Sequence, residues 1–311
     1  MKIGLNLDNR GPAATPGRMI RFAQTADRLG FSSLGVSDHV VLVRQQTLDY
    51  PFSATGEIDF EAWTPWNDTL GLISFVAGKT ERIRIGPSVL ILPYRNPLVT
   101  AKWFATVDSL SDGRLFLGAG TGWWREEFEA LGLGGQFGER GPRTDEYLRI
   151  FRNLWTAETP EFEGRFHRFS NLIASPKPVQ PAGPPIWIGG NTRRALRRVA
   201  ELGDLWHPVV LTPPDNLDLA TLGERRGDLA TLFEQYGRDP STVRIVPKTH
   251  LHWHEQSGRP LTGSPGKIID DMRSYEKVGA EELILYVPGE NETETLESLH
   301  RIAEEVMPHV A

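Results

Sequence analysis

Three short segments carry residues whose types and spacing suit chemistry. Ser37-Asp38-His39 closes an apolar run, and a histidine at a strand end can donate to, or exchange protons with, a bound ring or substrate. Taken alone, an Asp-His pair is more often a structural hydrogen bond than a catalytic dyad. Gly118-Ala119-Gly120-Thr121-Gly122 sets three alternate glycines after another apolar run. Glycines there let a phosphate or a flat ring approach the backbone, and they also suit a tight turn. A dinucleotide fingerprint is excluded, because Trp123 stands where that pattern needs glycine. Gly189-Gly190-Asn191-Thr192 opens a helical pattern, where unpaired backbone N–H groups suit an anion, the alternative being that Thr192 only caps the helix and the glycines serve the turn. Gly120, Thr121, Gly122, Gly189, Gly190, Asn191 and Thr192 are therefore candidate binding positions.

Other residues admit two readings. His250, His252 and His254 alternate with Leu251 and Trp253, and period two places all three on one strand face. Two such histidines can share zinc, with Asp38, His39 or His207 as further ligands. No accompanying ligand pattern is evident and Lys248 shares that face, so a polar strand end facing a pocket is the simpler reading. Trp123, Trp124, Trp206 and Trp253 are expected near one rim, where aromatics wall a flat ligand. Arg125, Glu126, Glu127 and Glu129 read as a solvated helix face above Phe128 and Leu131. Arg193, Arg194, Arg197 and Arg198 flank the anion site, mostly on the outer surface of a helix. Pro87-Ser88-Val89-Leu90, at a strand end, suits a bulge.

Eight strand-like runs position these residues: Lys2–Leu7, Ser32–Ser37, Ile83–Leu90, Arg114–Gly118, Pro185–Gly189, Asp204–Pro208, Val243–His252 and Glu282–Val287. The first helix is marked by Thr15, Pro16 and the stop Gly30, and the Thr-Pro type of start recurs at Thr64-Pro65, Asn96-Pro97 and Ser264-Pro265. Further helix patterns cover 66–77, 97–110, 144–156, 192–202, 215–236, 265–278 and 293–306. Strict alternation over eight units predicts a single (β/α)8 TIM barrel spanning residues 1–311. Extended loops follow strands two (39–64) and four (119–143) and precede strand five (157–184), the last with a small hairpin at Phe162–Phe166. A doubly wound sheet is the rival, and the first turn, Asn9-Arg10-Gly11-Pro12, lacks its glycine fingerprint.

Composition removes whole classes of function. The formal charge of −6 argues against a general affinity for nucleic acid. With no cysteine there is no disulfide scaffold, thiolate metal site or cysteine nucleophile. No apolar run reaches the ~18 residues of a membrane helix, and the start shows no signal-peptide pattern. A cytoplasmic enzyme is the expectation. Of 34 basic residues, 34 − 7 lysines leaves 27 arginines, which reads first as coding bias.

The ordered set of segments resembles the luciferase-like flavin and deazaflavin oxidoreductases, a (β/α)8 barrel family. Its carriers are Gly30-Phe31-Ser32-Ser33-Leu34-Gly35-Val36-Ser37-Asp38-His39, Ser88-Val89-Leu90 with Pro93 and Asn96-Pro97, and Asp108-Ser109-Leu110-Ser111-Asp112-Gly113-Arg114. Leu117–Trp123 with Glu126-Glu127-Phe128, Pro176-Lys177-Pro178, Pro185–Gly190 and Gly203-Asp204-Leu205-Trp206 complete it. Within the family the chain looks most like the branch using coenzyme F420, a deazaflavin, with FMN as the alternative. The resemblance implies a non-proline cis peptide at Ser88–Val89 backing the ring. It implies Asp38 and His39 beside the ring, and Gly120–Gly122 with Gly189–Thr192 on the ribityl phosphate tail. Trp123, Trp206 and His250 would line the pocket of a small-molecule substrate. His39 is the expected proton donor in a hydride transfer, and a homodimer is the expected assembly. FMN would instead make a monooxygenase fed by a flavin reductase. A metal-dependent barrel hydrolase is the more distant alternative. Val43 and Trp123 stand where F420-dependent sugar-phosphate dehydrogenases carry Trp and Glu, so a sugar phosphate is not the expected substrate.

Overall fold

A computed structural model describes residues 1–12, 14–44, 58–210, 217–256, 258–289 and 291–310. Its eight barrel strands are β1 (Lys2–Leu7), β2 (Ser33–Val36), β3 (Arg84–Pro87), β4 (Leu117–Gly120), β5 (Ile186–Gly189), β6 (Leu205–His207), β7 (Lys248–His250) and β8 (Glu282–Tyr286). Leu90–Ile91 prolongs the line of β3 and pairs with Ala119 and Gly120 of β4. All neighbouring barrel strands are parallel, with β1 between β8 and β2, and β5 between β4 and β6. Two sheets result, of five and four strands. Parallel bridges join them into a ring: Ile85 to Leu115 on one side, and Trp206 to Ile245 and Val209 to Lys248 on the other. The chain is a (β/α)8 barrel.

Helices α1 (Pro16–Leu29), α2 (Phe60–Trp63), α3 (Thr69–Ala77), α4 (Pro97–Leu110), α5 (Arg125–Ala130), α6 (Arg140–Thr156), α7 (Arg193–Leu202), α8 (Leu219–Gln235), α9 (Pro265–Lys277) and α10 (Glu292–Glu305) supply the outer layer and the loop helices. Several start and stop as the sequence signals require. Asn96 accepts from the N–H groups of Leu98 and Val99, Ser264 from Lys267, and Gly30 ends α1 at φ 85°. Thr15 makes no side-chain cap bond. Thr64-Pro65 is not a helix start: its peptide is cis, and α3 begins later, with Asp68 accepting from Gly71 N–H at 2.7 Å. The fourth strand lies further along than expected, because Leu115 and Phe116 serve as the junction to β3. The expected hairpin is present, with Phe162–Glu163 antiparallel to Arg168–Phe169. Among the described residues no helix is long and apolar enough to cross a membrane.

The barrel interior is layered. At the amino ends of the strands, the buried Glu282 carboxylate accepts from Ser32, Ser33 and Arg84. Above it, Phe116 and Trp187 stack at 3.9 Å, packed with Leu205, Val246 and Ile284. Gly86 is small because a Cβ there would lie 2.1 Å from the Phe116 carbonyl oxygen. Above this apolar plug lie Asn6, Ser88, His207 and Lys248, all buried. Chemistry is thereby confined to the carboxyl ends of the strands.

Candidate active site at the carboxyl end of the barrel

His39 leaves the end of β2 and enters an aromatic enclosure. Trp63, Trp66, Trp123 and Trp124 have ring centroids 5.6, 4.9, 6.2 and 5.7 Å from it. Its Nδ1 lies 2.5 Å from Oε2 of Glu127 on α5. The other Glu127 oxygen accepts from the N–H groups of Val40 and Val41, and Tyr94 donates its hydroxyl to Oε2 at 2.8 Å. Burial first, and then the Glu127 carboxylate, push the Tyr94 phenol well up, so it remains a donor. A carboxylate receiving four donors fixes the ring and favours the proton on Nδ1, as in other acid-base pairs with an orienting carboxylate. Glu127 is fully buried, which corrects the reading of Arg125–Glu129 as a solvated face. The helix is short and its acidic first turn points inward.

Asp38 turns away from His39. Its two oxygens take Arg95 in a fork at 2.7 and 2.8 Å, and Oδ2 also accepts from Ile91 N–H at 2.9 Å. With that set it is a strap between β2 and the segment after β3. It positions the site from behind, where the sequence reading puts it beside a ring.

The Ser88–Val89 peptide is cis, as the resemblance requires. Around it the floor of the mouth is polar. Ser88 Oγ is 2.8 Å from His207 Nε2, and His207 Nδ1 donates to the Val246 carbonyl. That bond leaves Nε2 as the acceptor of the Ser88 hydroxyl. Burial first, and then Lys248, bring the His207 pKa down to about 3, so its ring is neutral. It is no metal ligand, with both nitrogens engaged. Lys248 donates to the Ser88 carbonyl at 3.0 Å and lies 4.8 Å over the Tyr286 ring. Beside it, Asn6 donates to Asp8 at 2.6 Å.

The glycines divide into two kinds. A Cβ on Gly118 would lie 2.1 Å from the Pro87 oxygen, and Cβ atoms on Gly120 and Gly189 would lie 2.5 and 2.8 Å from the Val89 methyls. Gly118 thus clears the Pro87 carbonyl, and Gly120 and Gly189 make room for Val89, a packing reason that the sequence reading did not give them. Gly122 adopts φ 78° above Ile91 and Phe128, and Gly190 adopts φ 99° before α7. Thr121, just before Gly122, is half-buried. At α7, Thr192 caps Ala195 N–H at 3.2 Å, and Asn191 donates to the Val209 carbonyl, its Oδ1 buried with no partner among the described residues. Arg140 donates to the Gly122 carbonyl and packs on Phe137, with Arg125 on the same ring. Burial first, and then Arg125 and Arg194, lower the Arg140 pKa. Three guanidiniums thus crowd beside the unpaired N–H groups of a helix start, a seat for a phosphate. This fits the phosphate of either cofactor class.

The other expected positions spread out. His250 is exposed to the mouth and stacks on Tyr286 at 4.5 Å, with His252 parallel at 6.0 Å. Its pKa falls to about 4, through the surrounding protein first and then His252, Lys248, Arg259 and Arg10. Its surface is open to the cleft while protein encloses it on the other sides. His254 lies beyond β7, exposed, so the three histidines do not share one strand face. Among the described residues no group of three or more His, Asp or Glu is placed to hold a metal ion. Trp206 is not a pocket wall: it is fully buried in the barrel-helix layer, its indole donating to the Gly190 carbonyl at 2.8 Å. Trp253 donates to Ser298 under Arg301, away from the other indoles. Trp63 and Trp66 take their place, from a loop whose residues 45–57 lie outside those described.

Comparison with known proteins decides the family. The profile of the luciferase-like monooxygenases matches residues 1–259. The chain belongs to this family. An F420-dependent glucose-6-phosphate dehydrogenase of Intrasporangium calvum is 25% identical over 326 residues, covering 91% of this chain and 92% of that one. Among solved structures, an F420-dependent secondary alcohol dehydrogenase in complex with an F420-acetone adduct superposes with a TM-score of 0.78 at 16% identity, over 100% of this chain and 99% of that one. The oxygenating constituent of 3,6-diketocamphane monooxygenase from Pseudomonas putida, in complex with FMN, gives 0.76 at 17% identity, with the same coverage. At these identities the two structures establish the shared barrel. As a luciferase-like protein, the chain is an oxidoreductase of a family whose members use F420 or FMN.

Proposed function

We propose that this luciferase-like protein is a coenzyme F420-dependent oxidoreductase that moves a hydride to or from a small organic substrate. The observation that carries the reading is His39, held by a buried carboxylate inside an aromatic enclosure at the strand ends. It is supported by the near full-length alignment with F420-dependent dehydrogenases. The deazaflavin, when bound, supplies the carbon that gives or takes the hydride. The chain's residues do the rest. Arg140, Arg194 and the first turn of α7 hold the phosphate, Ser88 and Val89 form the floor under the ring, and His39 exchanges a proton with the bound ring through its second nitrogen. Val43 packs against the Trp63 and Trp124 cluster and Trp123 stacks on Trp124. That region is apolar, unlike a sugar-phosphate site.

Fluorescence titration with oxidised F420 beside FMN tests this. Tight binding of F420 and weak binding of FMN is the expected result. Preference for FMN turns the protein into a reduced-flavin monooxygenase that needs a reductase, and binding of neither overturns the cofactor reading.

A further inference from the structure

Asp8 stands at the carboxyl end of β1 and has no part in the machinery above. Its side chain is exposed to the mouth, yet protein surrounds it closely enough that burial is the largest influence on its carboxyl. One oxygen takes the Asn6 amide at 2.6 Å. Asn6 itself is buried, and its own Oδ1 has no partner among the described residues. Two cations lie in range, and both are committed elsewhere. Arg10 covers the rings of Trp63 and Trp66 at 4.8 and 5.3 Å, and Lys248 is bound to the Ser88 carbonyl. Neither closes an ion pair on Asp8 among the described residues. His250, also at the mouth, lies flat on Tyr286 and is held neutral.

This arrangement offers a small molecule one reachable carboxyl. As a carboxylate it accepts from a hydroxyl, and once protonated it donates to a carbonyl oxygen. We propose that Asp8 is the substrate-side acid and base of this site, contacting the oxygen of an alcohol or ketone. In oxidation the carbon-hydrogen bond breaks with both electrons, leaving as hydride to the deazaflavin. The O–H bond breaks with its proton passing to the Asp8 carboxylate, and the C=O bond forms. Reduction is the reverse, with the Asp8 carboxyl returning the proton. The proposal rests on the deazaflavin reading of the preceding section. Burial raises the Asp8 pKa from its ordinary value, against Arg10, Lys248 and the Asn6 bond, in the direction that favours a carboxyl able to return a proton.

The test uses the F420-loaded protein with its aspartate carboxyls labelled with carbon-13. One carboxyl resonance, absent in Asp8→Asn, is expected to titrate above the other aspartates and to move when cyclohexanol or cyclohexanone is added. Asp8→Asn is expected to bind F420 within about twofold of wild type and to oxidise any alcohol turned over by wild type on the order of 10²–10⁴ times more slowly. An Asp8 resonance that titrates with the ordinary aspartates, or that neither probe moves, overturns the proposal. So does loss of F420 binding in Asp8→Asn, which makes the residue a cofactor contact. Failure of wild type to bind F420 overturns the underlying reading instead, and is seen before any alcohol is added.

Discussion

With Nδ1 given to Glu127, His39 keeps a single nitrogen for a ligand, and the value of that nitrogen depends on the carboxylate behind it. His39→Ala is expected to lower turnover far more than F420 affinity, measured by steady-state rates beside a binding titration. Equal losses demote His39 to a binding residue. Glu127→Gln still accepts from Val40 but no longer favours the proton on Nδ1. A fall in kcat on the order of 10²–10⁴ with KM little changed is expected, together with a displaced limb of the pH profile. His207 contributes differently. Its folded pKa of about 3 lies below the ordinary 6.5, so the unfolded chain binds the extra proton between those values. Its contribution is complete above pH 6.5 and is lost as pH falls toward 3. Urea unfolding at a series of pH values should show that loss in wild type, and His207→Asn should lack it.

At the scale of the element, β3 and its neighbours are one fitted unit, with Val89 seated over glycines on β4 and β5. Gly120→Ala is expected to destabilise by about 1–3 kcal/mol, and much less in a Val89→Ala background. A double-mutant cycle of denaturation free energies measures that coupling. This unit also marks the limit of what can be read from the chain. Strand and helix alternation is carried by local apolar periodicity, so eight units and their loops were legible. The packing of Gly118, Gly120 and Gly189 was not, because the Pro87 carbonyl and the Val89 methyls meet them only across strands. Glu127 was missed as a site residue for a related reason. In a six-residue helix, charge on consecutive positions carries no periodicity to say which side faces inward, and its partners His39 and Tyr94 lie 88 and 33 residues away. Asp8 and Asn6 left no motif at all. A polar pair at i and i+2 ending a strand was the available signal.

In the whole molecule, stability and chemistry occupy opposite ends of the barrel, separated by the Phe116 and Trp187 plug. Glu282→Ala leaves two serines and the partly exposed Arg84 without their acceptor at the far end, and a loss of about 1–3 kcal/mol is expected. The F420 dissociation constant should not move, since no atom at the mouth changes partner. The tryptophans give this architecture a further consequence. Four of the nine in the chain surround His39, two of them parallel within 1° at 5.3 Å. Stacked indoles at that distance couple their electronic transitions, so the mouth contributes its own component to the near-ultraviolet circular dichroism of the protein. The molecule therefore carries an optical gauge at the place where a ligand arrives. Its signal will change on docking before any bond is made, and arrival can be timed separately from reaction.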